Sequence, residues 1–167
     1  MGGVTAGREI LLLRHAKSSW DSDVATDFER PLAARGRRAA PQMGRLLVQH
    51  KLVPDRVVSS PAVRAAQTVR LVVAELGIEE DAIVWDQRLY GASPADLARV
   101  MEENRYVARL LLVGHNPGFE DLVWDLGGAT LEPEGGKFFP TASLAHIRWG
   151  DGGPVVLAVY RPRELEG

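Results

Sequence analysis

Two short aliphatic runs constrain the fold most strongly, because each one stops abruptly at polar residues or a turn. The first covers Ile10–Leu13 and is followed by Arg14 and His15, and the second, within Arg109–Val113, is followed by the turn Gly114–Gly118. A strand that is apolar along its whole length is typical of a parallel sheet with helices on both faces. We therefore expect both runs to be strands of an α/β fold.

Strand-like and helix-like segments alternate along the rest of the chain. Further strands are predicted at Arg56–Ser59, Ala82–Trp85, Ser143–Trp149 and Val155–Tyr160. Helices are predicted at Leu32–Leu52, from a Ser60-Pro61 cap to Gly77, from a Ser93-Pro94 cap onward, and at Phe119–Leu126. The last two strands flank a hairpin signal, Asp151-Gly152-Gly153. The predicted architecture is three-layer α/β/α, with a mostly parallel central sheet and an antiparallel C-terminal strand pair.

Size, charge and cysteine content limit the classes of function. The 167 residues predict a single domain over residues 1–167, with residues 1–8 and 161–167 as frayed tails. A net charge of −2 gives no bulk electrostatic case for nucleic acid, and no apolar run is long enough to cross a bilayer. The absence of cysteine excludes disulfides, thiol nucleophiles and cysteine metal sites, and it is consistent with a cytoplasmic protein. We expect neither nucleic acid nor a membrane as a partner.

Three predicted strands end in residues that carry chemistry. Arg14 and His15 follow the first strand, Ser60 and then Arg64 follow the second, and His115 follows the fourth. In an open parallel sheet, ligands bind beyond the carboxyl ends of the strands. Two arginines and two histidines at equivalent ends therefore predict one shared site rather than isolated structural side chains.

These residue types suit a phosphoryl group during transfer. Arginine presents a planar fork of donors that matches phosphate oxygens, and a helix start adds free backbone N–H groups. A neutral imidazole is a nucleophile, and a protonated one is a cationic donor. One ring nitrogen of His15 would donate to a carbonyl while the other attacks phosphorus, with Arg14, Arg64 and His115 holding the oxygens. Water would then hydrolyse the phosphohistidine intermediate.

Two other classes of phosphate chemistry lack their sequence signals. The chain has no Gly-x-x-x-x-Gly-Lys-Ser/Thr loop, which argues against a P-loop enzyme. The four histidines have no close spacing with carboxylates of the metal-binding kind. We therefore expect no metal and no cofactor.

Three segments resemble the signatures of the histidine phosphatase superfamily, which has the phosphoglycerate-mutase-like fold. They read LLLRHAKSSW, SSPAVRAAQT and LLLVGHNPG. The small size, the RHAKSSW motif and the Asp27–Leu32 segment resemble the SixA-type phosphohistidine phosphatases. The resemblance covers about Ile10 to Tyr160, nearly the whole chain.

The resemblance implies a role for each matching residue. His15 would be the phosphorylated nucleophile, and Arg30 would lie near the pocket and bind phosphate or substrate. The phosphate pocket would consist of Arg14, Arg64 and His115. The resemblance also implies a metal-free mechanism with a covalent phosphoenzyme.

The chain departs from the superfamily pattern at two places. The common R-H-G-E start is here followed by Ala16 and Lys17, and Lys17 either favours an acidic substrate or is a solvated surface lysine. The glutamate of a mutase-like E-R-H-Y-G segment is replaced by Gln87, which cannot donate a titrating proton. Asp27 is then either the general acid or a carboxylate that orients Arg30, and the sequence leaves both interpretations open.

A weak or absent general acid bears on the substrate. A phosphorylated imidazole leaves easily because its ring can already carry a proton, whereas an alkoxide needs an acid that typically contributes about 10²–10⁴-fold. The favoured prediction is a metal-independent phosphatase that hydrolyses phosphohistidine on a protein. A small-molecule phosphomonoesterase, acting on a phosphorylated metabolite, is the first alternative. A non-catalytic phosphate-binding regulatory module is the second.

Overall fold

The computed structural model describes residues 7–162, which form a six-stranded sheet covered by helices on both faces. The strands are β1 Arg8–Arg14, β2 Arg56–Ser59, β3 Ile83–Trp85, β4 Arg109–Gly114, β5 Leu144–Gly150 and β6 Gly153–Tyr160. The helices are α1 Ala34–Gln49, α2 Val63–Leu76, α3 Pro94–Glu103 and α4 Gly118–Gly127. Short 3₁₀ turns lie at Asp27–Glu29, Glu80–Ala82, Gln87–Leu89 and Gly128–Leu131.

The order of strands across the sheet is β3-β2-β4-β1-β5-β6. The neighbours from β3 to β1 are parallel, whereas β5 runs antiparallel to β1 and β6 antiparallel to β5. This arrangement confirms the predicted α/β class, with its mostly parallel sheet and antiparallel C-terminal pair. It also places the carboxyl ends of β1, β2 and β4 side by side at one edge.

Alternate residues of the central strands pack into two separate cores. Because successive strand side chains point to opposite faces, one aliphatic run serves both layers. The face toward α1 and α2 buries Leu11, Leu13, Leu111 and Val113 with Met43, Leu47, Val69 and Val72. The opposite face buries Ile10, Leu12, Leu110 and Leu112 with Leu97, Val100, Phe119 and Val123 of α3 and α4. The strand ends are therefore held rigidly from both sides.

Within residues 7–162, no helix has the length and apolar character needed to cross a membrane.

Two helix starts differ from the prediction. The first helix begins at Ala34 rather than Leu32, and Leu32 is buried just before it. The predicted cap Ser60-Pro61 is wrong, because α2 begins at Val63 with Ala62 as its N-cap. The Ser60 hydroxyl is engaged instead with the His115 ring and the Ala62 N–H. By contrast, Ser93 caps α3 with a full capping box, as predicted.

The predicted tails are more ordered than expected where the structure describes them. Arg8 belongs to β1, and its side chain donates to the Met101 carbonyl at 2.8 Å. Arg161 is buried, and its guanidinium donates to the carbonyls of Phe138 and Leu131, both at 2.8 Å. The prediction of fraying is therefore wrong at these two positions. The remainder of both predicted tails, residues 1–6 and 163–167, lies outside the described residues.

Gly36 allows the first turn of α1 to dock on the segment after β1. A Cβ at this position would lie 2.1 Å from the Lys17 carbonyl oxygen. Gly36→Ala gains about 1 kcal/mol of helix propensity. The clash with backbone outweighs that gain, and we expect a net loss of about 1–3 kcal/mol in the free energy of unfolding. Urea unfolding measures the difference.

Gly152→Ala is the matched control, because a Cβ there meets no atom within 4 Å. We expect its free energy of unfolding to stay within about 0.5 kcal/mol of the parent. Equal stability of the Gly36→Ala and Gly152→Ala variants would contradict the docking of α1 described here.

Candidate active site

The predicted site residues come together where the three strands end. Backbone bonds lock the strand ends in register, with His15 N–H donating to the Gly114 carbonyl and Ser60 N–H to the Val113 carbonyl, both at 2.9 Å. The rings of His15 and His115 lie 5.0 Å apart between centroids. Three of these side chains, those of His15, Arg64 and His115, are buried.

His15 is held as a neutral imidazole with one nitrogen committed. Its Nδ1 donates to the Ala16 carbonyl at 2.7 Å, and its Nε2 faces the Arg64 Nε at 3.4 Å. Burial lowers the pKa of His15 to about 3; the hydrogen bond to the Ala16 carbonyl acts against this shift, and the charges of Arg64 and Arg14 add to it. The free ring therefore has a lone pair on Nε2 at neutral pH, as a nucleophile requires.

The backbone around His15 is fixed by two further contacts. The Ala16 N–H donates to the Thr68 hydroxyl at 3.0 Å, and that hydroxyl donates to the Arg64 carbonyl at 2.7 Å. The Ala142 N–H donates to the His15 carbonyl at 3.0 Å. Ala142 has a φ of 63°, a left-handed conformation that an alanine adopts at some cost. The site thus couples the nucleophile segment to both α2 and the start of β5.

His115 and Arg14 each keep a buried polar atom unpaired. His115 Nε2 lies 2.8 Å from the Ser60 hydroxyl, and burial together with the Arg64 charge lowers the pKa of His115 to about 3. Arg14 donates through one terminal nitrogen to the Phe139 carbonyl at 3.0 Å. Among residues 7–162, His115 Nδ1 and Arg14 Nε find no hydrogen-bond partner. Buried polar groups are normally satisfied, so these two atoms favour a polar ligand here.

Asp27 gathers the cationic side chains through its carboxylate. Its Oδ2 accepts from Arg64 at 2.9 Å and from the Tyr90 hydroxyl at 2.8 Å, and its Oδ1 accepts from Arg30 Nε at 3.1 Å. Its backbone carbonyl accepts a further bond from Arg64 at 2.8 Å.

Partial burial acts to raise the pKa of Asp27, but the hydrogen bonds from Tyr90, Arg30 and Arg64 outweigh it and lower the pKa to about 2. A carboxylate with three donors holds no proton to give at neutral pH. The geometry therefore favours Asp27 as a residue that orients the arginines and counts against it as a general acid.

Arg30 lies at the mouth of the site rather than against the His15 ring. One of its terminal nitrogens donates to the Ser18 hydroxyl at 2.7 Å. Its guanidinium stacks on the Trp20 ring, 3.6 Å from the ring centroid. Trp20 is 74% exposed whereas the Arg30 side chain is only 12% exposed, so the Trp20 ring covers the guanidinium and is the part of the pair that faces solvent.

Sequence reasoning missed three residues that shape the site. Tyr90 contacts Asp27, and its ring lies 5.4 Å from the His115 ring. Ser60 was predicted as a helix cap at the end of the second strand, not as a partner of His115, and Thr68 was not singled out. A usable signal existed for Thr68, because it lies one turn after Arg64 on the same face of α2.

Neither Gln87 nor its neighbour Asp86 substitutes for the missing glutamate of the mutase-like segment. Gln87 is exposed. Asp86 caps the Gln87–Leu89 turn and pairs with Arg88 at 2.7 Å, and this hydrogen bonding lowers its pKa. Among residues 7–162, no group of three or more histidine or carboxylate side chains is arranged to hold a metal ion.

Comparison with known proteins decides the family. A model of the histidine phosphatase superfamily (branch 1) matches residues 10–89. An uncharacterized protein of Mycobacterium tuberculosis is 36% identical over 151 residues, which are 83% of this chain and 90% of that protein. The chain belongs to the histidine phosphatase superfamily.

Solved structures with the same fold include members named as phosphohistidine phosphatases. The "putative phosphohistidine phosphatase SixA" from Agrobacterium tumefaciens is 28% identical, with a TM-score of 0.80 over 95% of this chain and all of that one. The corresponding SixA from Nakamurella multipartitia is 27% identical, with a TM-score of 0.73 over 95% of this chain and 98% of that one. Together with the family match, these structures identify the protein as a phosphatase.

The departure from the common R-H-G-E start has little effect on the backbone of this histidine phosphatase. Ala16 is completely buried, and its φ lies outside the left-handed region that favours glycine. Lys17 is exposed. The replacement of glycine by Ala16 therefore requires no left-handed backbone at this position.

The two buried histidines predict a loss of stability on acidification. Their pKa of about 3 in the folded protein lies below the value of about 6.5 for an unfolded chain. The unfolded state therefore binds protons that the folded state does not. The stabilisation is complete above about pH 6.5 and is lost toward pH 3, by up to about 1.4 kcal/mol per pH unit for each histidine.

Urea unfolding between about pH 6.5 and 5, above the range in which most carboxyl groups titrate, measures this slope. His115→Gln removes one of the two groups, and we expect it to reduce the slope by up to about 1.4 kcal/mol per pH unit. An unchanged slope in both the His15→Gln and His115→Gln variants would contradict the assignment of neutral, buried rings.

Proposed function

We propose that this histidine phosphatase hydrolyses phosphohistidine on a partner protein, through a covalent phosphohistidine on His15. The observation that carries the proposal is the state of His15 itself. The ring is neutral, its Nδ1 is committed to the Ala16 carbonyl, and its Nε2 faces the arginine that would hold the phosphoryl group. No other side chain among residues 7–162 combines these three properties at the strand ends.

In the first step, His15 Nε2 attacks phosphorus and an Nε2–P bond forms. The P–N bond to the substrate imidazole breaks, and its electron pair returns to the ring nitrogen of the leaving side chain. The donors for the phosphoryl oxygens are Arg14, Arg64 and His115. Because Arg64 and His115 are buried and all three groups are already in place, they stabilise the developing charge without reorganising.

In the second step, water attacks phosphorus and the Nε2–P bond breaks. The electron pair returns to His15 Nε2, inorganic phosphate forms, and the proton from water leaves with the phosphate or enters solvent. The Nδ1 hydrogen bond to the Ala16 carbonyl is unaffected by either step, so the ring keeps one orientation throughout.

The leaving group argues for phosphohistidine over an alkyl phosphate. Asp27 is ionised and occupied by three donors, and Gln87 is exposed. An alkoxide would thus leave without the acid that typically contributes about 10²–10⁴-fold. An imidazole ring that carries a proton leaves without that help. The names of the solved SixA relatives also support this substrate.

A substrate panel tests the proposal directly. We expect kcat/KM for a phosphohistidine peptide to exceed that for alkyl phosphate esters by at least about 100-fold, with a chelator present, because neither Asp27 nor Gln87 can give a proton to an alkoxide. His15→Ala should lower turnover by at least about 10³-fold and abolish covalent phosphate. His50→Gln, which replaces an exposed histidine at the end of α1, is the control and should retain turnover.

A preference for one phosphate ester over the phosphohistidine peptide would overturn the substrate while leaving the nucleophile intact. Parental turnover in the His15→Ala variant would overturn the mechanism.

Asp27→Asn separates the two interpretations of this residue. It keeps the shape of the side chain but removes the charge that holds Arg64 and Arg30. We expect kcat/KM to fall by about 10–100-fold for phosphohistidine and for an alkyl phosphate alike, since a charge-assisted hydrogen bond contributes about 1.5–3 kcal/mol. The basic limb of the pH–rate profile should not move. A loss confined to the alkyl phosphate, or loss of the basic limb, would instead identify Asp27 as the acid.

A further inference from the structure

The phosphoryl pocket is the pocket formed by Arg14, Arg64 and His115 around His15. A cleft next to it has a strongly cationic lining. We call it the basic cleft. Its charged lining residues are Arg14, Lys17, Arg35, Lys137 and Arg161. Its volume is about 490 Å³, within the range of pockets that bind small organic ligands. Among the described residues, the lining contains no Asp or Glu. Glu132 and Glu134, in the loop that carries Lys137, lie outside the lining.

Three of these cations are not used to stabilise the fold. Lys17, Arg35 and Lys137 are exposed, and none of them forms an ion pair within residues 7–162. Arg35 also lies in the first turn of α1, which has no acidic residue. The positive end of the helix dipole disfavours a cation at this position. A residue such as Arg35 that is unfavourable for its own helix indicates a functional role.

The fold holds these cations in place from separate segments. The Lys17 carbonyl accepts a bond from the Ala33 N–H at 2.9 Å, and the close approach at Gly36 seats the start of α1 against the same segment. Arg161 donates to the Phe138 carbonyl at 2.8 Å and so anchors the loop that carries Lys137. The basic cleft is therefore built on the end of β1 and is not a chance grouping of surface side chains.

Arg14 connects the basic cleft to the phosphoryl pocket. Its side chain lines the cleft, and its backbone precedes the nucleophile His15. Any group bound in the cleft is thus close to the phosphorus that His15 would attack. The occupant of the cleft is therefore part of the substrate and not an independent ligand.

We propose that the basic cleft binds the carboxylates of an acidic segment that flanks the phosphohistidine of the substrate protein. This proposal rests on the proposed function. The cations come from three different segments, at Lys17, Arg35 and Lys137, which suits several carboxylates spread along a chain. A single second phosphate would instead be matched by donors that converge on one point.

The test compares two phosphohistidine peptides of equal length that differ only in having Glu or Gln at the flanking positions. Each exposed ion pair typically changes binding by about 1.5–5-fold, so we expect the parent to favour the Glu peptide by about tenfold in kcat/KM at low salt. The triple variant Lys17→Ala, Arg35→Ala and Lys137→Ala should lower this ratio to about one. High salt should lower the ratio in the parent as well.

Arg38→Ala is the matched control, because it removes an exposed arginine from the same helix, outside the lining of the basic cleft. It should keep the parental ratio. A parental ratio of one, or a ratio that the triple variant leaves unchanged, overturns the proposal. A hexose bisphosphate preferred over both peptides, with a preference that the triple variant removes, would assign the cleft to a second phosphate and would also overturn it.

A binding measurement separates this proposal from the proposed function. Fluorescence anisotropy with the unphosphorylated Glu peptide should detect binding to the parent and a loss of about tenfold in the triple variant. Absence of hydrolysis of either peptide, with this binding intact, would overturn the proposed function but support an acidic-segment site. Absence of binding to the parent, with both peptides hydrolysed equally, would overturn the basic cleft alone.

Discussion

The hydrogen bond from His15 Nδ1 to the Ala16 carbonyl is the constraint on which the rest of the site depends. It fixes one tautomer of a buried ring, and burial keeps that ring neutral with a pKa of about 3. The Ala16 N–H donates to the Thr68 hydroxyl and the Ala142 N–H donates to the His15 carbonyl, so the peptide between His15 and Ala16, which precedes the accepting carbonyl, is held from both sides. A nucleophile of this kind needs no base to activate it, because it carries no proton on the attacking nitrogen.

The arginines around His15 need a counter-charge when no phosphate is bound, and Asp27 supplies it. Its carboxylate is about half exposed, at 49%, while the Arg64 side chain that it holds is 7% exposed. An arginine at that depth without a partner would be costly. The same pairing that keeps Arg64 aimed at the site also holds Asp27 ionised, so one residue cannot serve well as both anchor and acid. The proposed preference for a substrate with an easily leaving imidazole follows from that electrostatic arrangement.

The parts of the structure that follow from local pattern were predictable from the sequence. Continuous aliphatic runs identified β1 and β4, and their ends brought His15 and His115 together by topology alone. The start of α2 was not predictable, because Ser60 bonds to a histidine 55 residues away in place of capping the helix. The state of Asp27 likewise depends on distant partners, including Tyr90, which is 63 residues further along the chain. For Ser60 the tertiary contact overrode the local signal, and for Asp27 tertiary contacts favour one of the two interpretations that the sequence left open.

The position of the phosphoryl group on the phosphoenzyme is the most direct test of this account. Turnover is stopped by denaturing the enzyme in alkali, because phosphohistidine persists at alkaline pH. ³¹P–¹H correlation NMR on the proteolytic peptide that contains His15 then identifies the ring nitrogen bonded to phosphorus. Because Nδ1 is committed to the Ala16 carbonyl, we expect phosphorus on Nε2 of His15. Phosphorus on Nδ1, phosphorus on another residue, or turnover without any phosphoenzyme would contradict it.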